Sequence, residues 1–312
     1  MTADVYAPQF TNEDAAIAHV EASRWPNEVN CPLCGSINVH RMKGKTQAGY
    51  WLCNDCRDKF TCRTKTVMER SHIPVHKWLL AIHLMSASKK GMSAHQLHRM
   101  LGVTYKSAWF LGHRIREAMK DGSPTPLGGE GKSVQADETY YGNTSKRAKG
   151  YRKGLRHKQQ IVALVEPKGR ARVFHTNVEK GMGETVRELL VTNVDRKSEL
   201  HTDESRLYTE VGTEFAAHKT VTHGSRGSEG FYVGKDGQTT NAAENFFGVF
   251  KRGMVGTYHK CEVQHLARYL AEFEFRHNHR AALGMNDKMR AEALLKGIEG
   301  KRLQYRIPRS DH

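Results

Sequence analysis

A chain of 312 residues is long enough for about two domains with cores of their own. Lys and Arg number 49 against 33 Asp and Glu, a formal +16 before any of the 18 His is counted, and that excess points to a polyanionic partner. No run approaches the roughly 20 apolar residues of a membrane span, and the acidic start Met1 to Asp14 lacks the form of a signal peptide, so the expectation is a soluble, cytoplasmic protein with no membrane partner.

Within residues 1–25, Thr11-Asn12-Glu13-Asp14 reads as the capped start of a short helix that Trp25-Pro26 ends, with packing as its expected role. Residues 26–66 carry Cys31-Pro-Leu-Cys34 and Cys53-Asn-Asp-Cys56, with strands expected at Val39 to Lys45 and Gln47 to Leu52. Four thiolates at this spacing surround one tetrahedral zinc and leave no position for water, so the zinc is expected to be structural. Cys62 and Cys261 read as spectators.

Residues 72–120 turn helical. Val75 to Ser86 is amphipathic, and Ser93 to Leu101, Gly102-Val103-Thr104 and Tyr105 to Met119 give helix, short turn and helix, the layout of a DNA-binding helix-turn-helix. Lys106, His113, Arg114 and Arg116 are expected to face phosphates or a groove. Gly/Pro-rich residues 121–131 read as a linker.

The second domain is expected over 132–282, with a basic tail over 283–312 that is either a DNA contact or disordered. Strands are expected at Ser133 to Gly142, Gln160 to Val165, Arg172 to Asn177 and Glu199 to Asp203, with helices over Gly183 to Asn193 and from Asn241. The order β-β-β-α-β-α is that of a ribonuclease-H-like α/β core. Between the first two strands, Lys146, Arg147, Lys149, Arg152, Lys153, Arg156 and Lys158 form a basic loop with no acid, either solvated or settling on nucleic acid.

Asp137 and Asp203 each lie on a strand, and Glu244 lies on the helix whose polar stripe also carries Asn241, Gly248 and Lys251. Three carboxylates held close repel one another unless a cation compensates. As hard oxygen ligands they suit Mg²⁺ or Mn²⁺, which would activate water or a 3′-hydroxyl and stabilise the leaving oxygen of a phosphodiester. Lys251 would hold DNA phosphate near the metals, and Arg252 is a further candidate DNA contact. Asn241-x-x-Glu244 also reads as a capping box, a purely structural alternative. His201 shares a strand face with Asp203 and is open to a structural, metal or DNA role, and His223 is similarly ambiguous.

The paired Cys-x-x-Cys knuckles, the helix-turn-helix, Asp137-Glu-Thr-Tyr-Tyr-Gly142, Thr202-Asp203-Glu204, Asn241-x-x-Glu244-x6-Lys251-Arg252-Gly253, Gly256-Thr257-Tyr258-His259 and Phe275-Arg276-His277-Asn278-x-Arg280 together resemble the zinc-ribbon DDE insertion-sequence transposases of the ISXO-like group. The resemblance runs from about Pro26 to Arg280. It implies Mg²⁺-dependent cutting at the ends of a mobile element and joining of its 3′-hydroxyls to target DNA by a bacterial, homo-oligomeric, nucleoid-associated protein. Asp137, Asp203 and Glu244 would be the catalytic triad and metal ligands, with Lys251 as the associated base. The third position in this group is Asn or Glu, so Asn241 stays beside Glu244 as a candidate. The alternatives are a non-catalytic zinc-ribbon transcription regulator and a metal-dependent nuclease that does not join ends.

Overall fold

The computed structural model describes residues 5–44, 47–122, 125–142, 159–176, 182–221, 233–234 and 236–304. The chain divides into two compact units, Met1–Lys120 with Met285–His312, and Asp121–Gly284.

The first unit begins with α1 (Pro8–Thr11) and α2 (Glu13–Arg24), the latter capped as its sequence directs: the Asn12 side chain accepts from the Ala15 N–H at 3.0 Å. The ribbon is an antiparallel sheet of β1 (Val39–Arg41), β2 (Trp51–Cys53) and β3 (Lys59–Phe60), with β2 central. Its strands are shorter than expected and β3 was not foreseen, because two residues carry too little alternation to read. What marks β3 is Phe60, buried and stacked on Trp51 of β2 at 6.5 Å.

Three helices follow, α3 (Val75–Ala87), α4 (Ala94–Leu101) and α5 (Tyr105–Ala118). Ser93 and Thr104 cap α4 and α5, and Gly102 closes α4 with φ +59°, a left-handed conformation that costs glycine little. Two of the arginines expected to face DNA turn inward. Arg114 lies on the Leu111–Ile115–Ala118 stripe and is buried, its guanidinium donating to the Glu69 carbonyl at 2.6 Å and the Leu303 carbonyl at 3.3 Å. Arg116 is also buried, lying over Gly112, where the missing side chain leaves it room. His113 is buried as well, packed on Trp109 at 4.2 Å, whereas Lys106 is exposed.

The second unit is built on β4 (Ser133–Tyr141), β5 (Gln159–Val165), β6 (Ala171–Thr176), α6 (Met182–Asn193), β7 (Glu199–Asp203), α7 (Thr209–Gly212), β8 (Ala217–Val221), α8 (Asn241–Gly253) and α9 (Val263–Asn278). A π-helical turn, Met254–Tyr258, extends α8. The sheet order is β6-β5-β4-β7-β8, antiparallel from β4 through β6 and parallel from β4 through β8. This is a mixed α/β sheet of ribonuclease-H-like topology. Period-2 alternation decides its faces. Ile161, Ala163, Val165 and Val173 pack under Phe246, Phe247, Phe250, Leu270 and Phe273 of α8 and α9. Val134, Ala136, Val162, Leu164 and Leu200 pack on the other side with Val186 and Leu190 of α6.

Two boundaries differ from expectation. The stretch expected as a linker belongs to the second unit, where Leu127 is buried and exchanges backbone hydrogen bonds with Asn193 and Asp195. The expected loose tail forms α10 (Asp287–Lys296), capped by Asn286, and returns to the first unit. There Arg290 donates to the Ser86 carbonyl, the Val67 N–H to the Ile298 carbonyl, the Gly300 N–H to the Lys65 carbonyl, and Lys301 to the Ala118 carbonyl at the end of α5. Residues 305–312, with Arg306 and Arg309, lie outside the described residues. Among the described residues no helix is long and apolar enough to cross a membrane.

Candidate active site

β4 and β7 run parallel and pair as far as Gln135 opposite His201; Asp137 and Asp203 each lie two residues beyond that last pair, on the same face of the sheet. Asp137 shares its face with Gln135, and this is the face that α8 covers: the Gln135 Oε1 accepts from the N–H groups of Ala242 and Ala243 at 2.7 and 3.3 Å. The three carboxylates, drawn from residues 66 and 41 positions apart in sequence, are thereby brought near one another. Their proximity is felt as charge. Burial raises Asp137, its neighbour's N–H lowers it by bonding to Oδ1, and the Glu138, Asp203 and Glu244 carboxylates raise it further, leaving it at about 7. Asp203 Oδ1 accepts from the Ser205 N–H at 3.0 Å, and Glu244 Oε1 accepts from the Thr240 hydroxyl at 3.1 Å.

Asn241 is the first residue inside α8, and the preceding Thr240 makes no side-chain cap bond. The capping-box alternative is therefore not formed; Gln135 takes over that work from another strand. Asn241, Lys251 and Arg252 are exposed on α8, and the Arg252 guanidinium lies beside Gly248. Glu138, on the opposite strand face, accepts from the Tyr208 hydroxyl at 2.6 Å, and burial raises its pKa. Glu138 thus lies on the face that strand alternation assigns it, away from Asp137, whereas sequence reading passed over Gln135, although a Gln between Val134 and Ala136 in a buried strand is itself a signal. The basic-loop candidates Lys146, Arg147, Lys149, Arg152, Lys153, Arg156 and Lys158, and also His223, lie outside the described residues.

A half-buried set of mutually repelling carboxylates with one held near pH 7 suits a divalent cation, which would relieve the repulsion through hard oxygen ligands. The acids approach without closing: among the described residues, the group placed to hold a metal is Cys31, Cys34, Cys53 and Cys56, whose sulfurs all lie within 4.8 Å of one another. Cys31 and Cys56 are 3.8 Å apart and Cys34 and Cys53 3.6 Å. A zinc tetrahedron with bonds of about 2.3 Å has edges of about 3.8 Å, so the four thiolates fit structural zinc.

The Phe275 to Arg280 motif does packing work. Asn278 pairs with both the N–H and the carbonyl of Ala171 on edge strand β6, Glu274 accepts from the Val173 N–H, and Arg280 donates to the Gly169 carbonyl. Side chains of α9 and the turn after it thereby cover a strand edge that would otherwise be open to another chain.

Two family models match the chain: the transposase zinc-ribbon domain over residues 11–59 and the ISXO2-like transposase domain over residues 126–278. A curated relative, described as an uncharacterized protein in transposable element ISH50 of Halobacterium salinarum, is 30% identical over 131 residues, 42% of each chain. The match thus spans less than half of that relative's length. Among solved structures, the chain is similar to a simian T-cell lymphotropic virus intasome in complex with the PP2A regulatory subunit B56 gamma, at 13% identity and TM-score 0.28, covering 61% of this chain and 66% of that one. It is also similar to the Mos1 strand transfer complex, at 12% identity and TM-score 0.29, covering 70% and 74%. With both family models in their expected places on a four-cysteine ribbon and a mixed α/β core, the chain belongs to the IS1595 family of zinc-ribbon insertion-sequence transposases.

Proposed function

We propose that this transposase cuts the ends of its element and joins their 3′-hydroxyls to target DNA, with Asp137, Asp203 and Glu244 as the metal-holding catalytic groups. The observation that carries the reading is that Asp137 and Asp203 lie just beyond the last paired residues of adjacent parallel strands, with Glu244 of α8 near enough for both acids to act as charges on Asp137. Mg²⁺ or Mn²⁺ supplies Lewis acidity for in-line displacement at phosphorus. The chain's own residues place it: two acids on rigid strands, one on a helix, and Lys251 with Arg252 exposed further along α8 to hold the DNA backbone. Asn241, exposed at the start of α8, stands beside these groups as an accessory candidate.

The ribbon and the α4–α5 pair form the element-recognition region. At its surface Tyr105 and Lys106 open α5, and His95 of α4 stacks on Tyr105 at 4.3 Å. In a helix-turn-helix these opening residues of the second helix reach base edges. Burial of Arg114 and Arg116 moves the expected contacts to this end of the helix. The basic loop from Lys146 to Lys158 supplies sequence-independent affinity, and the protein acts on DNA as a homo-oligomer. The test is a gel that separates cleaved from joined products, using duplexes carrying the inverted repeats that flank the coding region. Joined products in Mg²⁺ support the reading; cleavage without joining makes the protein a nuclease, and binding without cleavage makes it a regulator.

A further inference from the structure

The segment that leads into α8 crosses the sheet one strand at a time. Gln238 Nε2 donates to the Thr220 carbonyl on β8 at 3.1 Å, the Thr239 N–H donates to His201 Nδ1 on β7 at 3.4 Å, and the Ala242 and Ala243 N–H groups donate to Gln135 on β4. Those three strands are consecutive in the sheet. Gln135 and His201 are register partners, both buried, and each stands two residues before an acid of the site on the same strand face. His201 is itself held. Its Nδ1 accepts, which leaves the proton on Nε2 for a bond to Glu199, and Glu199 pairs with Lys219 of β8 at 2.9 Å.

The aromatic underside of α8, Phe246, Phe247 and Phe250, sets how deeply the helix sits but is non-directional. Hydrogen bonds to the first turn are directional, and they fix rotation about the axis and sliding along it. We infer that Gln135, seconded by His201, is a positioning residue: it locks the first turn of α8 so that the Glu244 carboxylate meets Asp137 and Asp203 at the spacing a divalent cation needs. Mg²⁺ and Mn²⁺ demand closely set ligand positions, so a helix free to shift would retain all three acids and still bind the ion weakly. The inference rests on the proposed metal-holding role of those acids.

The test measures Mn²⁺ binding to the full-length, zinc-loaded protein without DNA, from the electron paramagnetic resonance signal of free Mn²⁺. Gln135→Met keeps the volume and removes the acceptor; Gln135→Glu keeps the acceptor. The expected result is Mn²⁺ affinity about 10-fold weaker in Gln135→Met and restored in Gln135→Glu, with circular dichroism showing both folded at the assay temperature. Unchanged affinity in folded Gln135→Met overturns the inference. Should that variant not fold, Gln238→Ala decides by releasing the outer end of the same segment: weaker Mn²⁺ binding supports the lock, and unchanged binding overturns it. Failure of the metal site itself is read in another protein, since Asp137→Asn binding Mn²⁺ as tightly as the unsubstituted chain would show that these acids do not hold the ion.

Discussion

Gln135 and His201 are the last register partners of the neighbouring parallel strands β4 and β7, and two residues beyond each stands an acid of the site, Asp137 and Asp203. Asp137 is still paired with Ala163 of β5 and Asp203 with Val221 of β8, so each acid is held by the sheet and not by a loop.

Replacing Asp203 by Ala should therefore remove chemistry without disturbing recognition. Strand transfer in Mg²⁺ is expected to fall by at least ~10²-fold, while binding of the same duplex in chelator stays unchanged. A gel for joined product and a filter-binding assay check the two halves, and transfer at the original rate would take Asp203 out of the mechanism.

The ribbon should depend on its metal. Cys53 is buried at the end of β2, and the cluster takes the place of a core in a sheet whose strands have two or three residues. Cys53→Ser is expected to abolish bound zinc, measured by atomic emission, and to lower the melting of the first unit by more than ~10 °C. A zinc-free variant melting with the parent would show that the ribbon holds without it.

Glu274 gives a pH signature away from the acid cluster. Burial raises its carboxyl to about 7, against the Val173 N–H that lowers it. Since the folded-state value lies above the unfolded one, this contribution to stability is complete below about pH 4 and is lost as pH rises through 7. Glu274→Gln keeps the acceptor without the charge, so it should melt with the parent at pH 4 and above it at pH 8. Parallel melting curves across that window would contradict the assignment.

Lys106 and Arg114 should separate recognition from folding, although they lie on one helix. Lys106→Ala is expected to weaken DNA binding and make its salt dependence shallower by about one unit of slope, with melting unchanged. Arg114→Ala leaves the Glu69 and Leu303 carbonyls without their donor and should cost about 1–3 kcal/mol of stability. Urea titration and fluorescence anisotropy distinguish them. Equal effects on DNA binding by the two folded variants would restore the whole helix as a contact surface.

Much of the fold was legible because its signals are local. Asn12, Ser93, Thr104 and Gly102 mark helix ends by their own chemistry, and the alternation of Val134 and Ala136 with Gln135 and Asp137 in β4 separates the two faces of the sheet, while β5 reads as an unbroken apolar run because it is buried on both. The acids of the candidate site could be named because each sits in a strand or helix whose period shows. What escaped depends on partners distant in sequence. Arg114 looks like a groove contact until Glu69 and Leu303 are seen around it, and Asn278 looks like a functional residue until Ala171 is found paired to it. Gln135 could not be understood before α8 was known to end on it.

The return of residues 285–304 to the N-terminal unit has a consequence for synthesis. A growing chain exposes the ribbon and the first helices early, yet it cannot complete that unit until residues 285–304 have been made, after the second unit has emerged. A frameshifted or prematurely stopped copy could keep every acid of the second unit and every ribbon cysteine, but it would lack the Ile298, Gly300 and Lys301 bonds that close the first unit. Damage to the codons of residues 285–304 would thereby disable a unit built mostly from residues 1–120.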